Sequence, residues 1–303
     1  MSYHVPVLLK QSVEGLNIQA GGIYVDVTFG GGGHARSIFE RMEQGTLIAF
    51  DQDPDASRNT TSFECDAQRS FIFVPSNFRH LKKYLKFHKI DKVDGILADL
   101  GVSSHQFDQQ SRGFSTRFDA ALDMRMDQVS VITAAKVVNE YSEDDLIQLL
   151  SRYGEIRNAK RLAAEIISAR AIAPIYTTAT LRSIAMKSAP NGKHDKYSAQ
   201  LFQAIRIEVN DEIRALKEFL IQTKDVLKVG GRLVIISYHS LEDRLVKFLI
   251  NTGSLDGLIE KDFFGNVIRP FEPIKGRLIT PAENEIALNN RARSAKLRIG
   301  IKN

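Results

Sequence analysis

The stretch Tyr24-Val25-Asp26-Val27-Thr28-Phe29-Gly30-Gly31-Gly32-Gly33-His34 is an apolar strand pattern that runs into four glycines, with helix-compatible residues, Ala35 to Met42, behind it. Strand, glycine-rich turn and helix in this order is how open α/β sheets hold a nucleotide-like cofactor. Glycine tolerates positive φ and carries no Cβ, so the backbone can turn sharply and approach a ligand, while the first turn of the helix presents unpaired N–H groups.

Two cofactors compete for that turn. Gly30, Gly32 and Ala35 satisfy the G-x-G-x-x-A dinucleotide pattern, and Asp51 stands 21 residues beyond Gly30, where a ribose-binding acid is expected. Asp26 argues against NAD, because the last residues of a dinucleotide strand are normally buried and apolar. Asp26-x-Thr28-x-Gly30-x-Gly32 instead reads as the strand-end signature of S-adenosylmethionine (SAM) enzymes, with Thr28 in the place of the first glycine.

Further strands fit a parallel sheet whose carboxyl ends build one site. Gly45 to Asp51 is an apolar run that ends in Asp51, an acceptor for a ribose diol, and Val93 to Gly101 is another that contains Asp99. Leu227 to Ser237 reads as a helix end, a Gly230-Gly231 turn and a buried strand, similar to an element of SAM methyltransferases. Between the last two strands, the segment from Ser104 to Val229 is far longer than one crossover needs. Its pattern is helical: an N-cap at Ser142 followed by Glu143-Asp144-Asp145, then Ala159 to Ala173, Leu181 to Ser188, and a long run from Ala199 to Lys228. The expectation is therefore an α/β fold, a Rossmann-like SAM-dependent methyltransferase sheet made of residues 1–105 plus 216–303, with an inserted all-helical domain at 106–215.

The 303 residues, 43% of them hydrophobic, suffice for a core, and Cys65 as the only cysteine excludes a disulfide framework or a cysteine-based zinc site. No metal site is assigned. No apolar run reaches membrane-spanning length and no signal peptide is read at the amino terminus, which together point to the cytoplasm. The net charge of +5 is mild, but Arg291, Arg293, Lys296 and Arg298 crowd the carboxyl end. Arg152, Arg157, Lys160 and Arg161, with Lys187, Lys193 and Lys196, crowd the insertion. Either cluster alone is an ordinary solvated face; two of them on a SAM fold favour a polyanionic substrate.

Almost end to end, the chain resembles the bacterial 16S ribosomal RNA cytosine-N4 methyltransferases of the RsmH (MraW) family. The resemblance is carried by His4-Val5-Pro6-Val7-Leu8-Leu9, the glycine turn with His34, Asp99-Leu100-Gly101-Val102-Ser103-Ser104 and Arg112-Gly113-Phe114-Ser115. It continues through Leu122-Asp123-Met124-Arg125-Met126-Asp127, Phe202-Gln203-Ala204-Ile205-Arg206-Ile207, Ser240-Leu241-Glu242-Asp243-Arg244 and Arg291-Ala292-Arg293-Ser294. It implies SAM-dependent methylation of the exocyclic N4 of a P-site cytidine in the decoding region of the small ribosomal subunit; the sequence leaves monomer and homodimer open. It also implies that Gly32, Gly33 and His34 hold the methionine end of SAM, Asp51 the ribose and Phe78 the adenine, with Asp99 and Gln106 completing the pocket. The chain departs from the family pattern at Ala120-Ala121, at Gln200-Leu201 ahead of Phe202, where an arginine is usual, and at His105.

The chemistry asks for a proton acceptor beside a weakly nucleophilic amine, and Asp99 at a strand end is the natural candidate, as catalytic group, as cofactor ligand or as both. Tyr238, His239, Phe114 and Phe118 are candidates to receive a base drawn out of its stack, each with a packing role as the alternative. His34 either caps the glycine turn or touches the cofactor; Glu242 and Asp243 either serve the site or cap a helix; Arg125 either orders its loop through Asp123 or Asp127 or reaches a phosphate. A C5-methylating mechanism needs a cysteine nucleophile, and Cys65 lies outside any strand-end motif. An oxidoreductase using the same turn, or an RNA-binding assembly factor without catalysis, are the readings from other classes.

Overall fold

The computed structural model describes residues 6–103, 106–107, 109–115, 118–274 and 278–303. His4, Val5 and Ser104, which carry part of the family resemblance, and His105, one of the departures from it, lie outside them. The chain forms two compact units, Met1–Gly101 with Ile213–Asn303, and Val102–Glu212.

In the first unit the described residues form a seven-stranded sheet: β1 (Gly22–Asp26), β2 (Gly45–Asp51), β3 (Arg69–Pro75), β4 (Val93–Asp99), β5 (Leu227–Ser237), β6 (Phe271–Pro273) and β7 (Lys296–Lys302), in the order β3-β2-β1-β4-β5-β7-β6. β1 to β5 pair in parallel, while β7 runs antiparallel to β5 and to β6. The near-continuous apolar runs of β1, β2 and β4 are what a strand covered on both faces requires: Tyr24, Leu47, Ile48, Ile96 and Leu97 are each 1% exposed or less. Order reverses between β1 and β4, and at such a switch point ligands bind outside the carboxyl ends of the strands. Register puts Asp26 opposite Ala49 of β2 and Leu97 of β4, so Asp26, Asp51 and Asp99 close three neighbouring strands at one edge.

The expected Gly-Gly turn is a bulge within β5. Val93 pairs with Leu227 and Gly95 with Arg232, so Lys228 to Gly231 bow out opposite Asp94 alone, with Gly230 at φ 79°. Lys228 Nζ bonds both oxygens of Asp94, and Asp94 Oδ2 also accepts from the Ile23 N–H at 2.8 Å, which pins the bulge to β1.

The second unit is helical. Thr133, Ser142 and Thr177 cap the helices Ala134–Glu140, Glu143–Arg152 and Thr178–Met186, each hydroxyl accepting from a backbone N–H in the first turn. Leu146, Leu150, Leu162, Ile166, Leu181 and Ile205 meet in its core. The run read as one long helix from Ala199 to Lys228 is two, His194–Val209 and Glu212–Val226. Asn210 and Asp211 separate them, Asp211 at φ 50°, because the Asn210 side chain turns back to hydrogen-bond the chain at Met124 and Met126 rather than continue the helix. Among the described residues no helix is long and apolar enough to cross a membrane.

Candidate active site

The glycine turn is built by its neighbours. Gly30 and Gly32 have φ of 51° and 76°, and the Gly32 N–H closes the turn on the Phe29 carbonyl at 2.7 Å. Gly33 opens the helix Gly33–Arg41, and a Cβ there would come within 2.3 Å of Pro6 Cγ; a Cβ on Gly31 would meet nothing within 4 Å. The floor of the cradle is therefore packed and its lip is open.

Asp51 is first of all a holder of that turn. Its Oδ2 accepts from the Gly30 N–H at 2.7 Å and its Oδ1 from the Asp53 N–H at 2.8 Å. Burial pushes its pKa up to about 6, against the pull of those two N–H groups. Asp26 is fully buried; Oδ1 accepts from the Thr28 N–H at 3.0 Å, whereas Oδ2 has no hydrogen-bond partner among the described residues. Its pKa is also raised to about 6, by burial before all, with His34 opposing.

Thr28 shows what a side chain adds where a glycine is usual. Its Oγ1 accepts from the backbone N–H of Asp99 at 2.6 Å, tying the end of β1 to the end of β4. Asp99 accepts from the Tyr238 hydroxyl at 2.7 Å through Oδ1, and its Oδ2 lies 3.7 Å from His34 Nδ1. Burial raises the Asp99 pKa to about 7; the Tyr238 bond works against this and the Glu242 charge adds to it. His34 is 6% exposed, and its Nε2 is 3.1 Å from the Val7 carbonyl. Burial holds its pKa below the usual imidazole value, with Asp26 opposing.

Phe78 stands at the start of a short 3-10 turn, capped by Asn77, whose Nδ2 donates to Gln52 Oε1 beside Asp51. Its half-buried ring packs edge-to-face on Phe219, centroids 5.3 Å apart. Gln106 belongs to the second unit, where it is buried and its Oε1 accepts from the Ser103 N–H at 3.1 Å. The first unit thus gathers Gly32, Gly33, His34, Asp51 and Asp99 around the carboxyl ends of β1, β2 and β4.

Sequence reasoning missed the part played by Tyr238. The residue proposed as a platform for the base also donates its hydroxyl to Asp99. The segment behind it is fixed by a capping box on the helix Ser240–Thr252: the His239 ring accepts from the Glu242 N–H, and the Glu242 carboxylate accepts from the His239 N–H at 3.3 Å and also from the Tyr238 N–H at 2.9 Å. Glu242 is thus a capping residue. Phe114 is 5% exposed in the helical core, a packing role, while Phe118 is 43% exposed.

Other readings change on contact. Lys296 and Arg298 are not a free basic face, because both grip Asp243, Arg298 at 2.7 and 3.2 Å and Lys296 at 3.2 Å. Arg125 makes a two-pronged pair with Asp123 at 2.9 and 2.7 Å, and its Nη1 donates to the Gln128 and Ser130 carbonyls, so it orders its loop. Arg112 adds bonds to the Arg125 and Met126 carbonyls. Leu201 is fully buried, which leaves no solvent-facing contact to make at that position.

A glycine cradle and carboxylates at three strand ends suit a nucleotide-like cofactor, and the chain matches the MraW methylase family over residues 1–303. It belongs to that family. Ribosomal RNA small subunit methyltransferase H of Cytophaga hutchinsonii is 55% identical over 297 residues, 98% of this chain and 98% of its own. The protein of the same name from Flavobacterium johnsoniae is 55% identical over 303 residues, 100% of this chain and 98% of its own. In this MraW-family chain the strand ends just described and the loop that Arg125 and Asn210 hold lie within the matched residues.

Proposed function

We propose that this chain methylates small-subunit ribosomal RNA with SAM as cofactor, at the exocyclic N4 of a P-site cytidine in the decoding region. The observation that carries the reading is the set of acidic groups around the open glycine turn. The buried Asp26 Oδ2, short of a partner, suits a cation such as the ammonium of the methionine end, and the cradle at Gly31 leaves space for it. Asp51 retains lone pairs for a ribose diol, and Phe78 offers a ring for the adenine beside Gln52. Gly32, Gly33 and Gln106 would complete the contacts. When bound, SAM supplies an electrophilic methyl on a sulfonium that departs as a neutral thioether.

The protein's task is then orientation and proton removal. An exocyclic cytosine amine lends its lone pair to the ring, so it must be held in line with the methyl group and relieved of a proton. Asp99, a carboxylate whose pKa lies near neutrality, is the acceptor. The base must leave its stack to arrive there. Small-subunit RNA as substrate accords with the relatives' names, and the exposed basic residues Arg157, Lys160, Lys193 and Lys196 accord with a phosphate backbone. A cysteine-based C5 mechanism is disfavoured, since Cys65 accepts from the Phe71 N–H in the first half of β3, away from the strand ends.

The test is to incubate small subunits from a strain lacking the gene with purified protein and SAM, then digest the RNA and read the decoding cytidine by mass spectrometry. An N4-methyl group from the native protein and none from Asp99→Asn is expected. Methyl on C5, or on no cytidine, overturns the assignment.

A further inference from the structure

His34 and Asp99 face each other in a way that a ligand role for His34 does not explain. The Val7 carbonyl can only accept, so the His34 Nε2 that lies 3.1 Å from it carries the hydrogen. The neutral ring then has its lone pair on Nδ1, the atom 3.7 Å from Asp99 Oδ2. Oδ1 of the same carboxylate is occupied by the Tyr238 hydroxyl at 2.7 Å, so Oδ2 is the oxygen turned to the imidazole. Two acceptors meet in a buried place, which is unfavourable as it stands. One added proton on Oδ2 gives the two atoms a reason to close from 3.7 Å into a hydrogen bond.

We infer that His34 and Asp99 form a proton-receiving pair, in which the proton lost by the substrate amine passes to Asp99 Oδ2 and is held there against the lone pair of His34 Nδ1. The inference rests on the methyl transfer proposed above. Once N4 has gained its methyl group it carries one proton and one positive charge too many. The N4–H bond breaks as an Oδ2–H bond forms, and the new Oδ2–H is aimed at the Nδ1 lone pair of the neutral imidazole, which leaves both groups uncharged. The charged and titratable groups around the pair are Asp26 and Asp51 on the strand ends, and Tyr238 and Glu242 behind β5. His34 thereby keeps the proton on Asp99 from returning to the methylated amine.

Two measurements test this. In the full-length protein labelled with 15N-histidine, NMR reads the His34 tautomer without any turnover; Nε2–H is expected, and Nδ1–H overturns the pairing. In single-turnover transfer with small subunits, His34→Gln is expected to bind SAM within about threefold of native while losing ~100-fold in rate, the usual scale for a lost acid–base group. An unchanged rate overturns the pairing, as does a loss of SAM affinity that matches the loss of rate, since His34 would then be a cofactor ligand alone. If the native protein transfers no methyl group, the function proposed above falls, and the tautomer measurement still decides the pairing.

Discussion

The backbone N–H of Gly30 donates to Oδ2 of Asp51 at 2.7 Å, so the last residue of β2 holds the glycine turn that leaves β1. A residue chosen in sequence as a ribose ligand is thus also part of the turn's own framework. Asp51→Ala should cost about 2 kcal/mol of stability, the scale of a hydrogen bond to a charged group, in addition to abolishing SAM binding. Chemical denaturation with and without SAM checks both halves; a variant as stable as native would show that Asp51 serves the ligand only.

Gly31 and Gly33 separate cradle from packing. Gly31→Ala meets open space and should melt like the native protein in the absence of SAM, yet lose most of the rise in Tm that SAM confers. Gly33→Ala drives a Cβ to 2.3 Å from Pro6 and should lower the Tm itself. Thermal melts of the two variants, each at zero and saturating SAM, distinguish these outcomes.

The raised pKa values set a direction for pH. Asp99 at about 7, and Asp26 and Asp51 at about 6, bind protons in the folded chain at a pH where the unfolded chain has released them. Stability is therefore fully supported below pH 4 as far as these groups are concerned, falls as pH rises from about 4 to 7, and levels off above. Removing one such charge relieves the strain: Asp99→Asn should raise the Tm at pH 8 by roughly 5 °C and leave it unchanged near pH 4, while transfer is lost. Native single-turnover rates should climb as pH passes 7. Melting curves of Asp99→Asn that stay below native at pH 8 would contradict this.

Asp243 is the carboxylate that Arg298 and Lys296 share, and the Arg298 side chain is only 12% exposed. Asp243→Ala leaves a nearly buried guanidinium without its partner and should destabilise by about 3 kcal/mol, read by urea unfolding. Arg298→Met in the same background should recover part of the loss.

Arg125→Ala should release the loop Asp123 to Ser130, lowering amide protection there in hydrogen exchange and stability by about 1–2 kcal/mol. Arg125→Lys should fail to restore protection, because an ammonium cannot make the two-pronged bond to Asp123 together with the bonds to Gln128 and Ser130. Subunit binding by Arg125→Ala should keep the native salt dependence, since this guanidinium is committed to its own loop; a shallower slope would restore the phosphate reading.

Local pattern determined most of the architecture. The apolar runs ending in Asp51 and Asp99, the four glycines after Phe29 and the cap at Ser142 are all short-range signals, since strand burial, turn conformation and helix capping depend on residues a few positions apart. The break at Asn210 was not legible, because the groups that claim its side chain, Met124 and Met126, lie more than 80 residues away. Likewise Asp243 and Arg298 are 55 residues apart, so a sequence reading sees a basic cluster where the folded chain has an ion pair. Asp99 is the clearest case. Its type and its place at a strand end could be read from the chain, but the hydroxyl of Tyr238, 139 residues on, and the lone pair of His34 were brought to its two oxygens by the parallel pairing of β1, β4 and β5. Which groups exist at the site was written locally; how each is protonated depends on neighbours and burial, and those come only with the tertiary fold.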